Sequence, residues 1–161
     1  MVIIVMGVVG SGKTTIGQLL AQQLGWRFAD ADNFHSAASK EKIRHGIGLT
    51  DEDRAPWLAS LSAAISSWIA DGASAVLACS ALKRSYRQQL QIGPEVRFVY
   101  LKGSAALIDQ RLRARRGHFA NQQILASQFA DLEEPTGAIV TDISGAPEEI
   151  VADIRRKLGM S

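Results

Sequence analysis

The sequence predicts an α/β fold, a parallel sheet covered by helices on both faces. Three observations predict it. Short apolar runs alternate along the chain with helical apolar periodicities. One run, "MVIIVM", leads straight into the glycine-rich "GVVGSGKT", and that into the helical "TIGQLLAQQL". The 161 residues, 47% hydrophobic and 21% charged, have a globular composition and a length suited to one such unit. Neither repeat nor low-complexity linker divides them, so residues 1–161 read as a single domain.

The elements follow in order. Val2–Met6 is apolar at every position and reads as a buried strand. Thr14–Leu24 reads as a helix because Ile16, Leu19, Leu20 and Leu24 share one face, and Gly25 stops it. Arg27–Ala29 is the second strand, with "DADNFH" at its carboxyl end. Thr50 and Asp53 have the spacing of a capping box. The helix they open carries a stripe of Trp57, Leu58, Leu61, Ile65, Trp68 and Ile69. "ASAVLACS" and "VRFVYL" are the third and fourth strands. Ala105–Arg115 is a helix ending in a basic cluster, with Gly117 as its exit. "GAIVTDIS" is the fifth strand, and Pro147 suits the first turn of a last helix carrying Ile150, Val151, Ile154 and Leu158. Ligands in such folds sit beyond the carboxyl ends of the strands, where most of the polar clusters fall.

Composition excludes several classes of function. The net charge of +2 is small, which argues against a general nucleic-acid or membrane-surface binder and leaves room for a local basic site. The single cysteine, Cys79, rules out an intramolecular disulfide and suits a reducing compartment. Within a strand it reads as a small apolar residue and not as a nucleophile. The opening apolar run is too short to span a bilayer and lacks a basic leader and a cleavage site. A cytoplasmic protein is expected, with neither a membrane nor a nucleic acid as partner.

Gly7, four residues, then Gly12-Lys13-Thr14 form a complete phosphate-binding loop between strand and helix. Such a loop needs backbone N–H groups converging on phosphate without obstructing side chains, hence Gly7, Gly10 and Gly12. The following helix adds its positive end. Lys13 is placed to reach the β- and γ-phosphates, and the Thr14 hydroxyl to coordinate Mg²⁺. The loop therefore predicts a nucleoside triphosphate, but not the reaction. An "NKxD" base-reading motif of GTPases is absent, and two further polar sites with a basic helix end favour a small-molecule kinase.

The first is "ADADNFH". Asp30 and Asp32 alternate around Ala31, so one carboxylate can face the metal while the other accepts a hydroxyl proton from the substrate. A solvated turn is the plainer alternative, and His35 is either a substrate contact or an ordinary loop residue. The second is "CSALKR", where Ser80, Lys83 and Arg84 can bind an anion or merely open a solvated helix. The third is "RLRARRGHF", where Arg111, Arg113, Arg115 and Arg116 crowd a helix end. Arg111 and Arg115 are four apart and share a face, so an anion between them explains their proximity; complementing the helix dipole is the alternative. The segment "HFANQQILASQFADLEEP" then reads as a hinged cover that excludes water.

"GVVGSGKT", "DADNFH", "LTDEDRAPWL", "CSALKRSYR", "FVYLKGS", "RLRARRGHF" and "SQFADLEEP" come in the same order as in bacterial-type gluconokinases, and the chain resembles that family over roughly residues 2–158. The resemblance implies ATP- and Mg²⁺-dependent phosphorylation of D-gluconate to 6-phospho-D-gluconate. It implies a P-loop kinase three-layer fold, with a five-stranded parallel sheet in the order 2-3-1-4-5 and a helical lid at roughly residues 113–135. Gly10, Ser11, Gly12, Lys13, Thr14 and Thr15 match the ATP phosphate loop. Asp32 matches the substrate-side carboxylate, and Asp30 the one nearer the metal, beside Thr14. His35, Arg54, Lys83 and Arg87 fall in segments lining the sugar-acid side. Arg111 resembles the arginine that stacks on adenine, and Arg115 the lid arginine that, with Lys13, stabilises the transferring phosphoryl group. A homodimer is typical of the family. The third strand ends in "LACS" and not in an aspartate, which leaves Asp30 to help hold the metal. Val9 and Thr14 replace residues common in relatives without removing a required hydroxyl, and "SAASKEKIRHG" departs most from the pattern. A shikimate-type kinase is the nearest rival; its usual triple glycine after the third strand is replaced here by "CSALKR". A nucleotide-binding regulator without turnover is the other, disfavoured by Asp30 and Asp32 together with the basic lid.

Overall fold

A computed structural model describes residues 1–116 and 122–160. Five strands form one parallel sheet in the order β2-β3-β1-β4-β5: β1 (Val2–Met6), β2 (Arg27–Asp30), β3 (Ala75–Ala78), β4 (Val96–Lys102) and β5 (Ile139–Asp142). This is the expected order. β1 lies at the centre, with Val2 opposite Ala75 on one side and Val96 on the other. All five of its side chains are fully buried, because helices cover both faces of a parallel sheet.

The helices are α1 (Lys13–Leu24), α2 (Ala37–Arg44), α3 (Asp51–Ala70), α4 (Arg84–Leu90), α5 (Ala105–Arg116), α6 (Gln122–Asp131) and α7 (Pro147–Lys157). Alternating side chains of β1 split the core in two. Ile3 and Val5 pack with Ile16 and Leu20 of α1, Ile108 and Leu112 of α5, and Ile150 and Ile154 of α7. Val2, Ile4 and Met6 pack with Trp57, Leu58, Leu61 and Ile65 of α3 and with Tyr86 and Leu90 of α4. Each fully buried aliphatic side chain contributes about 1.5–3 kcal/mol, so the two layers fix the strand ends on which the polar residues stand. Gly17 lets α1 lie close to β2, since a Cβ there would come within 2.8 Å of the Phe28 ring.

The capping box is present in both directions: Thr50 Oγ1 accepts from the Asp53 amide at 3.1 Å, and Asp53 Oδ2 from the Thr50 amide at 2.9 Å. The third and fifth strands are shorter than the sequence suggests, and β2 runs one residue further, to Asp30. Helix α2 was not read from the sequence. Ser36 caps it, and only Ser39 of its eight residues is buried, so no apolar stripe announces it. The expected exit at Gly117 and the cover residues 118–121 lie outside the described residues. No helix among the described residues is long and apolar enough to cross a membrane.

Candidate active site

The site forms where β1, β2 and β3 end. Gly12, at φ 96°, caps α1 without any side-chain hydrogen bond, so the first amides of the helix remain available to an anion. Lys13 Nζ donates to the Val8 carbonyl at 3.0 Å, which holds the ammonium across the loop. Burial holds the Lys13 pKa below the usual lysine range, and Asp32 opposes that most strongly. Ser11 Oγ is buried without a partner among the described residues. It sits beneath the loop against Gly7, where an added Cβ would come within 2.6 Å of it. The Ser11 amide donates to the Val8 carbonyl at 3.2 Å, which closes a turn inside the loop. Gly10 has φ 79°, and a Cβ there would meet Leu112 Cγ at 2.6 Å, so α5 rests directly on the loop.

A cavity of about 480 Å³ opens beside these residues. The loop and first turn of α1 line it through Gly10, Ser11, Gly12, Thr15 and Ile16, and α5 through Arg111, Leu112 and Arg115. The structure thus brings Gly10, Ser11, Gly12 and Thr15 of the phosphate loop and both expected arginines to one space, with Lys13 and Thr14 outside its lining. Arg113 points elsewhere, its Nε on Asp109 at 3.0 Å. The far wall, Gly145, Pro147 and Ile150, was missed as a functional surface. Its signal was available: "DISGAP" follows β5, at the same end of the sheet as the phosphate loop.

The two aspartates are held differently. Asp30 Oδ2 accepts from the Thr14 hydroxyl at 3.2 Å, and Oδ1 from the Asp32 amide at 2.9 Å, capping the short 3₁₀ turn Ala31–Phe34. Asp30 is thereby fixed beside Thr14, and the Asp32 carboxylate lies within electrostatic reach of Lys13 and His35. Asp32 reaches solvent, but partial burial desolvates its carboxylate and raises its pKa, with Asp30 adding to the rise and Lys13 and His35 opposing it. The hydroxyl and carboxylate of Thr14 and Asp30 fit Mg²⁺, which is commonly held by one or two carboxylates together with nucleotide phosphates and water. No group of three or more His, Cys, Asp or Glu that could hold a metal ion occurs among the described residues.

A line of side chains continues from Asp32. His35 stacks on Trp57, ring centroids 4.5 Å apart and 12° from parallel, and the Trp57 indole donates to the Ala31 carbonyl at 2.8 Å. The His35 Nδ1 is buried without a partner among the described residues. Desolvation lowers the His35 pKa; Asp32 opposes the shift, while Arg54 and Lys40 add to it. Arg54 Nη1 donates to the Tyr86 hydroxyl at 3.0 Å, and Lys83 Nζ to Asp51 Oδ1 at 3.0 Å. Arg87, expected on the sugar-acid side, directs its buried guanidinium to the carbonyls of Ala81 at 2.7 Å, Leu82 at 2.9 Å and Glu133 at 2.6 Å. Cys79 is buried, and desolvation pushes its thiol up to about 12, which leaves it inert.

Comparison with known proteins agrees with this geometry. The family model described as shikimate kinase matches residues 9–158. The chain is 47% identical over 135 residues to the gluconokinase of Gluconobacter oxydans, covering 83% of this chain and 75% of that protein. It is 41% identical to the thermoresistant gluconokinase of Escherichia coli, covering 92% of this chain and 88% of that one. A solved gluconokinase from Sinorhizobium meliloti superposes with a TM-score of 0.88 at 38% identity, over 98% of this chain and 90% of that one. The shikimate kinase of Aquifex aeolicus, at 18% identity and a TM-score of 0.60, shares the fold. The chain therefore belongs to the shikimate kinase family of P-loop kinases and, within it, to the gluconokinases.

Proposed function

We infer that the protein transfers the γ-phosphoryl group of ATP to D-gluconate, giving 6-phospho-D-gluconate. The observation that carries this reading is 41–47% identity to bacterial gluconokinases over most of the chain. The site supports it chemically. The loop amides and Lys13 bind the β- and γ-phosphates. Arg111 and Arg115 line the nucleotide cavity, the first suited to stack on the base and the second to neutralise charge on the transferring group. Thr14 and Asp30 would hold Mg²⁺, which on binding neutralises phosphate oxygens. Asp32 orients the substrate's primary hydroxyl and accepts its proton, a role to which a raised carboxylate pKa is suited. Arg54 and Lys83 receive the gluconate carboxylate, with His35 between them and Asp32.

In this reading the chain is a single catalytic domain, and residues 113–135 cover the bound substrates. The hydrogen bond from the Val9 amide to Gln128 of α6 supports that part, because it joins the cover to the nucleotide loop. A cytoplasmic homodimer completes the proposal, on the ground of the family resemblance. The test is a panel of gluconate, shikimate and an uncharged polyol with ATP and Mg²⁺, together with mass measurement by light scattering. Turnover of gluconate is expected. Turnover of shikimate without gluconate overturns the reading.

A further inference from the structure

Beyond the two cations assigned to the substrate carboxylate lies an arrangement that assignment does not explain. The Tyr86 hydroxyl donates to Asp51 Oδ1 at 2.5 Å, and Lys83 Nζ donates to the same oxygen at 3.0 Å. Arg54 donates to the Tyr86 oxygen at 3.0 Å. Both cations flank the Tyr86 ring, Arg54 at 5.8 Å and Lys83 at 5.5 Å from its centroid. One carboxylate oxygen thus fills a two-donor socket, and one phenol spaces the cations around it.

The two partners are held with different firmness. Tyr86 is 7% exposed and packed in the core under α3 and α4, so its position is set by the fold. Asp51 is an exposed residue in the first turn of α3, its side chain 70% accessible. An exposed ion pair contributes little to stability, so exchanging that carboxylate for another costs little. The Tyr86 hydroxyl and Lys83 bonds hold the Asp51 carboxylate below its usual pKa, as expected of an anion in a donor-rich socket.

We propose that Tyr86 sets the spacing of Arg54 and Lys83, and that Asp51 is an internal carboxylate exchanged for the carboxylate of the substrate. Selectivity for an acidic polyol then comes from a socket already built for one carboxylate. Tyr86 is a positioning residue, acting through the two cations. The proposal rests on the reading of the substrate as gluconate.

The test compares the parent with Tyr86→Phe and Asp51→Asn by steady-state kinetics in gluconate and in ATP, with thermal melting of each. Phenylalanine keeps the ring and the packing and removes the hydroxyl. The KM for gluconate is expected to rise about 10-fold, the scale of one hydrogen bond to a charged group, with kcat and the KM for ATP within about twofold. A merely structural role would lower the melting temperature without this split. Asparagine keeps an acceptor for Tyr86 but is a weaker competitor for the socket, so the gluconate KM is expected to fall about threefold, a fraction of one charge-assisted bond. An unchanged gluconate KM in Tyr86→Phe, or an unchanged or higher one in Asp51→Asn, overturns the proposal. A parent that does not phosphorylate gluconate overturns the functional reading instead, so the two failures are distinguishable.

Discussion

The Gln128 side chain accepts a hydrogen bond from the Val9 amide at 2.5 Å, tying α6 to the third residue of the phosphate loop. On the other side of the loop, Leu112 of α5 rests against Gly10. The loop is therefore gripped by α5 and by α6, the helix within the proposed cover. Gln128→Leu keeps the size of the side chain and removes the acceptor. We expect the KM for ATP to rise about 5-fold, the scale of one lost hydrogen bond, with a smaller change in the KM for gluconate. Equal changes in the two constants would mean that the contact serves packing alone.

Asp32→Asn should lower kcat by about 10²-fold or more, the usual scale of general-base catalysis, with little change in nucleotide affinity. Asparagine preserves the turn but does not take up the proton. A loss of ATP–Mg²⁺ affinity instead would move Asp32 to the metal. The pH profile adds a second check. A base must be deprotonated to act, and desolvation followed by Asp30 raises the Asp32 pKa from 3.8. The acid limb of kcat/KM should therefore lie above 3.8, and activity should fall as pH drops through it.

Arg115→Ala should weaken catalysis more than Arg113→Ala. Arg115 lines the cavity beside the phosphate loop, whereas Arg113 is paired with Asp109 on another face of α5. Single-turnover rates for the two variants decide it, and a larger loss at Arg113 would assign the phosphates to the wrong face.

Arg87→Lys retains the charge but leaves carbonyls of Ala81, Leu82 or Glu133 without their donor. The expected cost is about 2 kcal/mol, a fall in Tm of roughly 4–8 °C for a chain of this size. The gluconate KM should move little in protein that remains folded. A large rise in KM at unchanged Tm would return Arg87 to the substrate.

Legibility in the sequence followed the strength of local signals. The central strand, the phosphate loop and the Thr50–Asp53 cap were readable because each is a short-range pattern with one physical solution. Helix α2 was not, since a helix that buries one serine leaves no periodicity. The bond from Arg87 to the carbonyl of Glu133, 46 residues away, is invisible to local reading. Asp51 is one of three acidic residues in the first turn of α3, and only the fold brings Tyr86 to it, 35 residues on.

The one cysteine of the chain lies at the end of β3, buried and held in its thiol form. For anyone attaching a spectroscopic reporter, the unmodified chain is a silent background. Maleimides and spin labels react with thiolate at a surface, and this protein offers none at neutral pH. A cysteine introduced at exposed Ala126 on α6 would carry the only reactive label. Paired with a second at exposed Gln18 on α1, it would turn the separation of α6 and α1 into a distance read in solution, without first deleting a native cysteine.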